Sequence, residues 1–454
     1  MTATRLRALL AGTLLAVTLI AAGQLIPGSS PEPMLVGAVF PLSGSAGPLA
    51  RQEELGVRIA ADLVNADGGI DGRPVALDVR DLERGEDAPA VMAALRAEGA
   101  QVVIGAYASD LSIAASAAAA DAGLVYWEAG AVADQLTGRG LPMVFRVGAS
   151  GTNLGSNSAR FAASQLAPRL GKQATSLRLA IVAANDDYAR SVADAAAREA
   201  NASGVPIILR ATYDLSLPRW PQLMGRLAVA HPEVIILASH IPDGISFRRA
   251  MLAAKLKVGA LIGSTMAECS PDFAGDLGPD AVGIFASDRP TAGFQSGVLR
   301  SEARHAFERL AVAWASAGGA TPASSPGLTS DYGRGQDAEY VIHGPMLPAT
   351  AGPTEEGLSG FSAAWALFRQ VLPAAADRGA LDAAGISNAA RHIDLPVGSL
   401  PNGAGIRFST DPATLGQNQR ATAVIWQWQA VRSYTFVWPP TYATGRIAMV
   451  PLPR

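Results

Sequence analysis

At 454 residues the chain is long enough for two domains, each with a sizeable core. Apolar residues make up 49% and charged residues 17%, a balance that suits a compact soluble α/β protein. A net charge of −3 without any basic run sets nucleic acid aside as a partner, and the single Cys269 excludes an intrachain disulfide.

Arg5 and Arg7 precede an uncharged stretch from Ala8 to Pro31 that is apolar almost throughout to Ile26. The small residues Ala21-Ala22-Gly23 follow the pattern of a cleavage site, and Pro27 to Pro31 continue as a linker. Residues 1–33 therefore read as a secretory signal peptide and linker. The alternative is an uncleaved anchor, since Ala8 to Ile26 is 19 residues and just spans a bilayer. No Cys stands just after the segment, so lipid attachment is not supported.

Met34 to Phe40 reads as an apolar strand running into a small-residue loop. A helix over Glu54 to Val64 puts Leu55, Ile59 and Leu63 on one face. Asn65 and Gly68-Gly69 supply the left-handed backbone that ends it, and Asp71-Gly72 with Pro74 makes a second turn. Val75, Leu77 and Val79 then alternate as a strand. The strand, its PLSG loop, the helix and the GGIDGRP turn, in this order and spacing, resemble the opening of type I periplasmic binding proteins. The resemblance is to the leucine/isoleucine/valine-binding branch of ABC importers and covers Leu35 to Trp438.

The alternation continues with helix 88–98, strand 102–105, helix 112–122, and strands 124–127 and 143–146. A second series follows: helix 153–170, strand 177–182, helix 189–203, strand 207–213, helix 220–230, strand 234–238, helix 244–256, and strands 260–263 and 283–286. Two runs of βα units imply two doubly wound parallel sheets. Helices over 300–317 and 360–372 come next, around a Pro-, Gly- and Ser-rich loop at 321–357, and strands 422–429 and 433–438 form a hairpin. The resemblance implies that the chain crosses between lobes three times, near Gly148, near Ser287, and between Phe408 and Asn418. Lobe one is then 35–148 with 288–410, lobe two is 149–287 with 415–440, and 441–454 is an unassigned tail.

In such sheets a ligand lies outside the carboxyl ends of the strands, where helix N-termini present free N–H groups. Ser43-Gly44-Ser45, Tyr107-Ala108-Ser109 and Glu128-Ala129-Gly130-Ala131 qualify, although Ser and Gly cluster in ordinary caps and turns as well. The resemblance assigns a ligand carboxylate or amide to Ser109, with backbone contacts from Gly130 and Ala131. It makes Tyr188 the aromatic cover from lobe two and places His240 where the family often has a Tyr, with a solvated loop residue as the alternative reading of His240. The sequence departs from amino-acid-binding members at Leu49, at Val132 and at Ser264 or Thr265, with Glu268 late. Either Glu128, Glu268 and the phenol of Tyr107 rebuild a cation site or the ligand lacks the ammonium, and Tyr107-x-Ser109 also resembles the amide- and urea-binding branch.

Catalytic signatures are weak. Ser43-Gly44-Ser45-Ala46-Gly47 lacks the first glycine of a nucleophile elbow, and the five His residues show no metal-ligand spacing. Cys269 reads as a small buried hydrophobe. The expectation is a non-enzymatic, exported, monomeric solute-binding protein without cofactor or metal, partnered by a small solute and an ABC permease. An extracytoplasmic sensor domain of the same fold is the alternative.

Overall fold

The βα units fold as two parallel sheets facing each other across a cleft, in a computed structural model that describes residues 31–43, 46–265, 268, 271–318, 353–431 and 433–453. The proposed leader, Gly44, Ser45, Cys269 and most of the 321–357 loop lie outside the described residues. No helix among the described residues is long and apolar enough to cross a membrane.

In lobe one, β1 (Met34–Phe40) is flanked by β2 (Val75–Asp81) and β3 (Val102–Gly105), followed by β4 (Val125–Glu128) and β5 (Val144–Arg146). The five strands are parallel, in the order β2-β1-β3-β4-β5. Helix α1 (Gly47–Ala66) ends at Gly68 and Gly69, with φ of 102° and 76°. The Asn65 amide then accepts from Val75 N–H at 2.7 Å and donates to Val75 C=O at 2.9 Å, fastening the helix end to β2. The amino end of the fold belongs to this lobe, because Arg73 Nε donates to the Glu32 carbonyl at 2.9 Å. Helices α2 (Ala88–Ala97) and α3 (Ser109–Asp121) complete the alternation.

Lobe two contains α4 (Gly151–Phe161), β6 (Leu179–Ala184), α5 (Asp187–Ala202), β7 (Ile207–Tyr213), α6 (Trp220–Ala230), β8 (Val234–Ala238), α7 (Ile241–Ala253), β9 (Ala260–Ser264) and β10 (Phe285–Asp288). Its sheet runs β14-β13-β10-β9-β8-β6-β7, with the antiparallel hairpin β13 (Val424–Ala430) and β14 (Ser433–Trp438) at one edge. The chain returns to lobe one for α8 (Ser301–Ser316), α9 (Glu355–Ala366) and α10 (Ala383–His392), and for the small ribbon β11 (Asp394–Leu395) and β12 (Ile406–Arg407).

Several details depart from expectation. Helix α3 begins at Ser109 and α4 at Gly151, where Ser150 and Asn153 form a capping box that the apolar period does not register. Glu355 to Gly357, expected in the long loop, form the first turn of α9, capped by Thr354 Oγ1 accepting from Gly357 N–H at 3.1 Å. The third passage lies after Asn418, not between Phe408 and Asn418. Gly416 C=O accepts from Arg146 N–H at 2.9 Å, and Asn418 N–H donates to Arg146 C=O at 3.0 Å, so this segment still extends lobe one.

Residues 441–453 of the tail are part of the structure. After β14 the tail inserts Tyr442 into lobe one, against Phe294 at 6.0 Å between ring centroids, with the hydroxyl donating to Gly403 C=O at 2.8 Å. It then returns to lobe two, where Leu452 N–H donates to Gly259 C=O at 2.8 Å and Arg248 Nη2 to Pro453 C=O at 3.4 Å.

Candidate ligand cleft

The carboxyl ends of the strands of both sheets open onto one cavity of about 620 Å³. Lobe one contributes Tyr107, Ser109 and Gly130, and lobe two contributes Tyr188, His240 and Thr265. The volume is within the range of small-molecule sites.

Ser109 opens α3, and its Oγ accepts from Ala133 N–H at 3.2 Å. The first bond of that helix is from Ser112 N–H to Ala108 C=O at 2.8 Å, so the N–H groups of residues 109–111 precede the intrahelical ladder. The turn that aims them is tight. Tyr107 has a φ of 70°, which a non-glycine residue rarely adopts, and a Cβ at Gly105 would lie 1.9 Å from Val39 O.

Gly130 lines the cleft but Ala131 does not, and neither offers the expected free N–H. Both donate to Glu128 Oε1 at 2.8 Å. Glu128 is fully buried, so its carboxylate turns back onto the nearest backbone donors and takes Tyr126 O–H on Oε2 at 3.1 Å. It is not a cleft residue. Glu268 does not reach the cleft either. Its carboxylate packs against Gly263, where a Cβ would lie 2.0 Å from Cδ, and burial pushes its pKa well up.

On the lobe-two wall the hydroxyl of Tyr188 lies between the carbonyls of Ser239, at 3.1 Å, and Ser264, and accepts from Thr265 Oγ1 at 2.7 Å. With the hydroxyl committed inward, Tyr188 turns its ring to the cleft. His240 Nε2 lies 2.6 Å from Asp186 Oδ2, and its ring meets Tyr188 edge-on at 5.1 Å. Burial opposes the imidazolium charge, but the bond and charge of Asp186 outweigh it and raise the His240 pKa. Burial likewise disfavours the Asp186 carboxylate, yet His240 holds its pKa below the ordinary value. Asp186 Oδ1 also caps α5, accepting from Ala189 N–H at 2.8 Å.

The periplasmic binding protein family model matches residues 33–320, well over half of the chain. The chain belongs to that family. Leu/Ile/Val-binding protein homolog 8 of Brucella abortus is 27% identical over 413 residues, 90% of this chain and 92% of the relative. Among solved structures, a branched-chain amino acid transporter substrate binding protein from Streptococcus pneumoniae, in complex with isoleucine, aligns with a TM-score of 0.65. The identity is 17%, covering 90% of this chain and all of that one. A solute binding protein of an ABC transporter from R. palustris, in complex with benzoate, aligns with a TM-score of 0.62 at 16% identity, covering 89% and 95%. The type I periplasmic binding protein fold, two doubly wound lobes on a three-strand hinge, is thereby established.

In this periplasmic binding protein the loop 130–135 is held from several directions by residues that the sequence does not flag. Arg289, the first residue after β10, faces the cleft and donates to Gly130 C=O. Its guanidinium also meets Glu355, with Nε 2.5 Å from Oε1 and Nη2 3.1 Å from Oε2. Arg146, fully buried and pushed down to about 10 by burial, donates to Ala133 C=O at 2.6 Å and to Gln417 Oε1 at 2.6 Å. Thr152 of α4 donates to Asp134 from its N–H at 3.0 Å and its hydroxyl at 2.6 Å, across the lobes. Of the 36 basic residues 33 are Arg, so these two carry no compositional signal; only their place beside hinge passages could have drawn attention. Among the described residues no group of three or more His, Cys, Asp or Glu is placed to hold a metal.

Proposed function

We propose that this chain is the extracytoplasmic solute-binding protein of an ABC importer. It captures a small polar solute, an amino acid, amide or urea-like molecule, by hinge closure. The observation that carries the reading is the shared cleft, with Ser109 and the α3 N-terminus on one lobe facing Tyr188 and His240 on the other. A solute docked on lobe one gains further contacts when lobe two swings in, so it favours the closed population. The closed form then presents both lobes to a membrane permease. Export through the N-terminal segment follows from the same reading, and N-terminal sequencing of the mature protein tests it.

The decisive experiment is a thermal-shift screen of the purified chain against amino acids, amides, urea and short carboxylates. At 100 times the dissociation constant a true ligand adds about 2.7 kcal/mol of stability. No shift with any small solute rejects the transport role. Ser109→Ala, which removes the hydroxyl at the head of α3, should weaken the ligand found by roughly fivefold to tenfold, about 1–1.4 kcal/mol.

A further inference from the structure

Resting on the cleft and hinge closure of that reading, and replacing its solute classes, we infer that the solute is a small carboxylic acid without an ammonium group, because the cleft has donors for a carboxylate and no sequestered acceptor for an ammonium. A closed cleft that takes up an α-amino acid must give its cation a partner away from water. The buried carboxyl groups near this cleft are either engaged elsewhere or shut off from it. Glu128 is turned onto the Gly130 and Ala131 N–H groups; Glu53 behind Gly130 and Glu268 against Gly263 are wholly buried and do not line the cleft, and burial favours the neutral form of both. Asp186 is taken by His240 and by the α5 cap, and Asp187 pairs with Arg190 at 2.9 Å. Glu83 and Asp110 remain in the lining, and both are exposed, where an ion pair contributes little.

The donors are disposed differently. The N–H groups at the head of α3 and the Ser109 hydroxyl belong to the cleft, and the Arg289 guanidinium lines it while bonded to Gly130 C=O and Glu355. The positive end of a helix favours an anion there. The body of the acid meets Tyr107, Leu111, Val132, Tyr188 and Leu215, which offer rings and aliphatic groups. The Tyr188 hydroxyl is directed into lobe two, toward Ser239 and Ser264. A cation stacked on its ring would also stand beside the edge-on His240, whose imidazolium form is favoured by Asp186.

Titration calorimetry of the full chain with matched pairs tests the inference: leucine against 4-methylpentanoate and 4-methyl-2-oxopentanoate, and phenylalanine against 3-phenylpropanoate. The deaminated acid of a pair is expected to bind at least tenfold more tightly than its amino acid, and more tightly than its own neutral amide. Glu83→Gln and Asp110→Asn should leave that order unchanged. An amino acid that outbinds its deaminated partner, or loses affinity selectively in either variant, identifies an ammonium acceptor and overturns the inference while the solute-binding reading stands. Absence of binding by acids, amino acids, amides and urea alike overturns both.

Discussion

Glu53 stands on α1 behind the cleft, wholly buried, and neither carboxylate oxygen has a hydrogen-bond partner among the described residues. Burial first, and the Glu128 charge second, push its pKa well above the ordinary value. A folded-state pKa above the unfolded one means that the native state holds a proton the unfolded chain releases, so stability falls as pH rises above about 4.3. Glu53→Gln keeps the shape and removes the proton. Denaturant unfolding of the variant should lose a slope of about 1.4 kcal/mol per pH unit over the window between the two pKa values. The same carboxylate explains Gly130, since a Cβ there would lie 2.2 Å from Glu53 Oε2. His240 and Asp186 depend on pH in opposite senses to each other. The raised His240 pKa contributes stability that is complete below about pH 6.5 and lost as pH climbs through the folded value. The lowered Asp186 pKa contributes stability present above about pH 3.9 and lost as pH falls through the folded value. His240→Asn should therefore lower Tm most between about pH 4 and 6.5, and melts of both proteins across that range check it.

The helices that flank the cleft show which parts of the fold are legible in sequence. Strand alternation and Gly-rich stops are local signals, and they place the βα units of both lobes. Helix starts are read too late, because Ser150 and Ala108 begin their helices outside the apolar period. Side-chain direction at the site is less legible still. Glu128 turns inward only because the surrounding chain buries it, and Arg289 reaches Gly130 from 159 residues away. Close helix contacts belong to the same hidden class. In lobe one a Cβ at Gly56 would lie 2.2 Å from Gly357 O of α9, and in lobe two a Cβ at Gly155 would lie 2.1 Å from Val192 O of α5. Each pair approaches backbone to backbone, so Gly155→Val should force the helices apart at about 3 kcal/mol, read by chemical denaturation. Ser150→Ala removes the α4 capping box and should lower stability by about 1 kcal/mol in the same assay.

At the scale of the whole molecule, three passages join the lobes, and the tail adds a loop that leaves lobe two at β14, seats Tyr442 in lobe one and comes back. Tyr442→Ala should lower stability by roughly 3 kcal/mol, as for other buried aromatic rings, and loosen the tail from Phe294. Small-angle scattering of that variant should then show a larger radius of gyration without ligand than the parent does. The two ends of the described residues also have separate allegiances: Glu32 is tied to Arg73 in the first lobe, and Pro453 to Arg248 in the second. Fluorophores attached at those positions would ride on opposite jaws, so energy transfer between them would report the proposed opening and shutting in real time, with no label near the cleft.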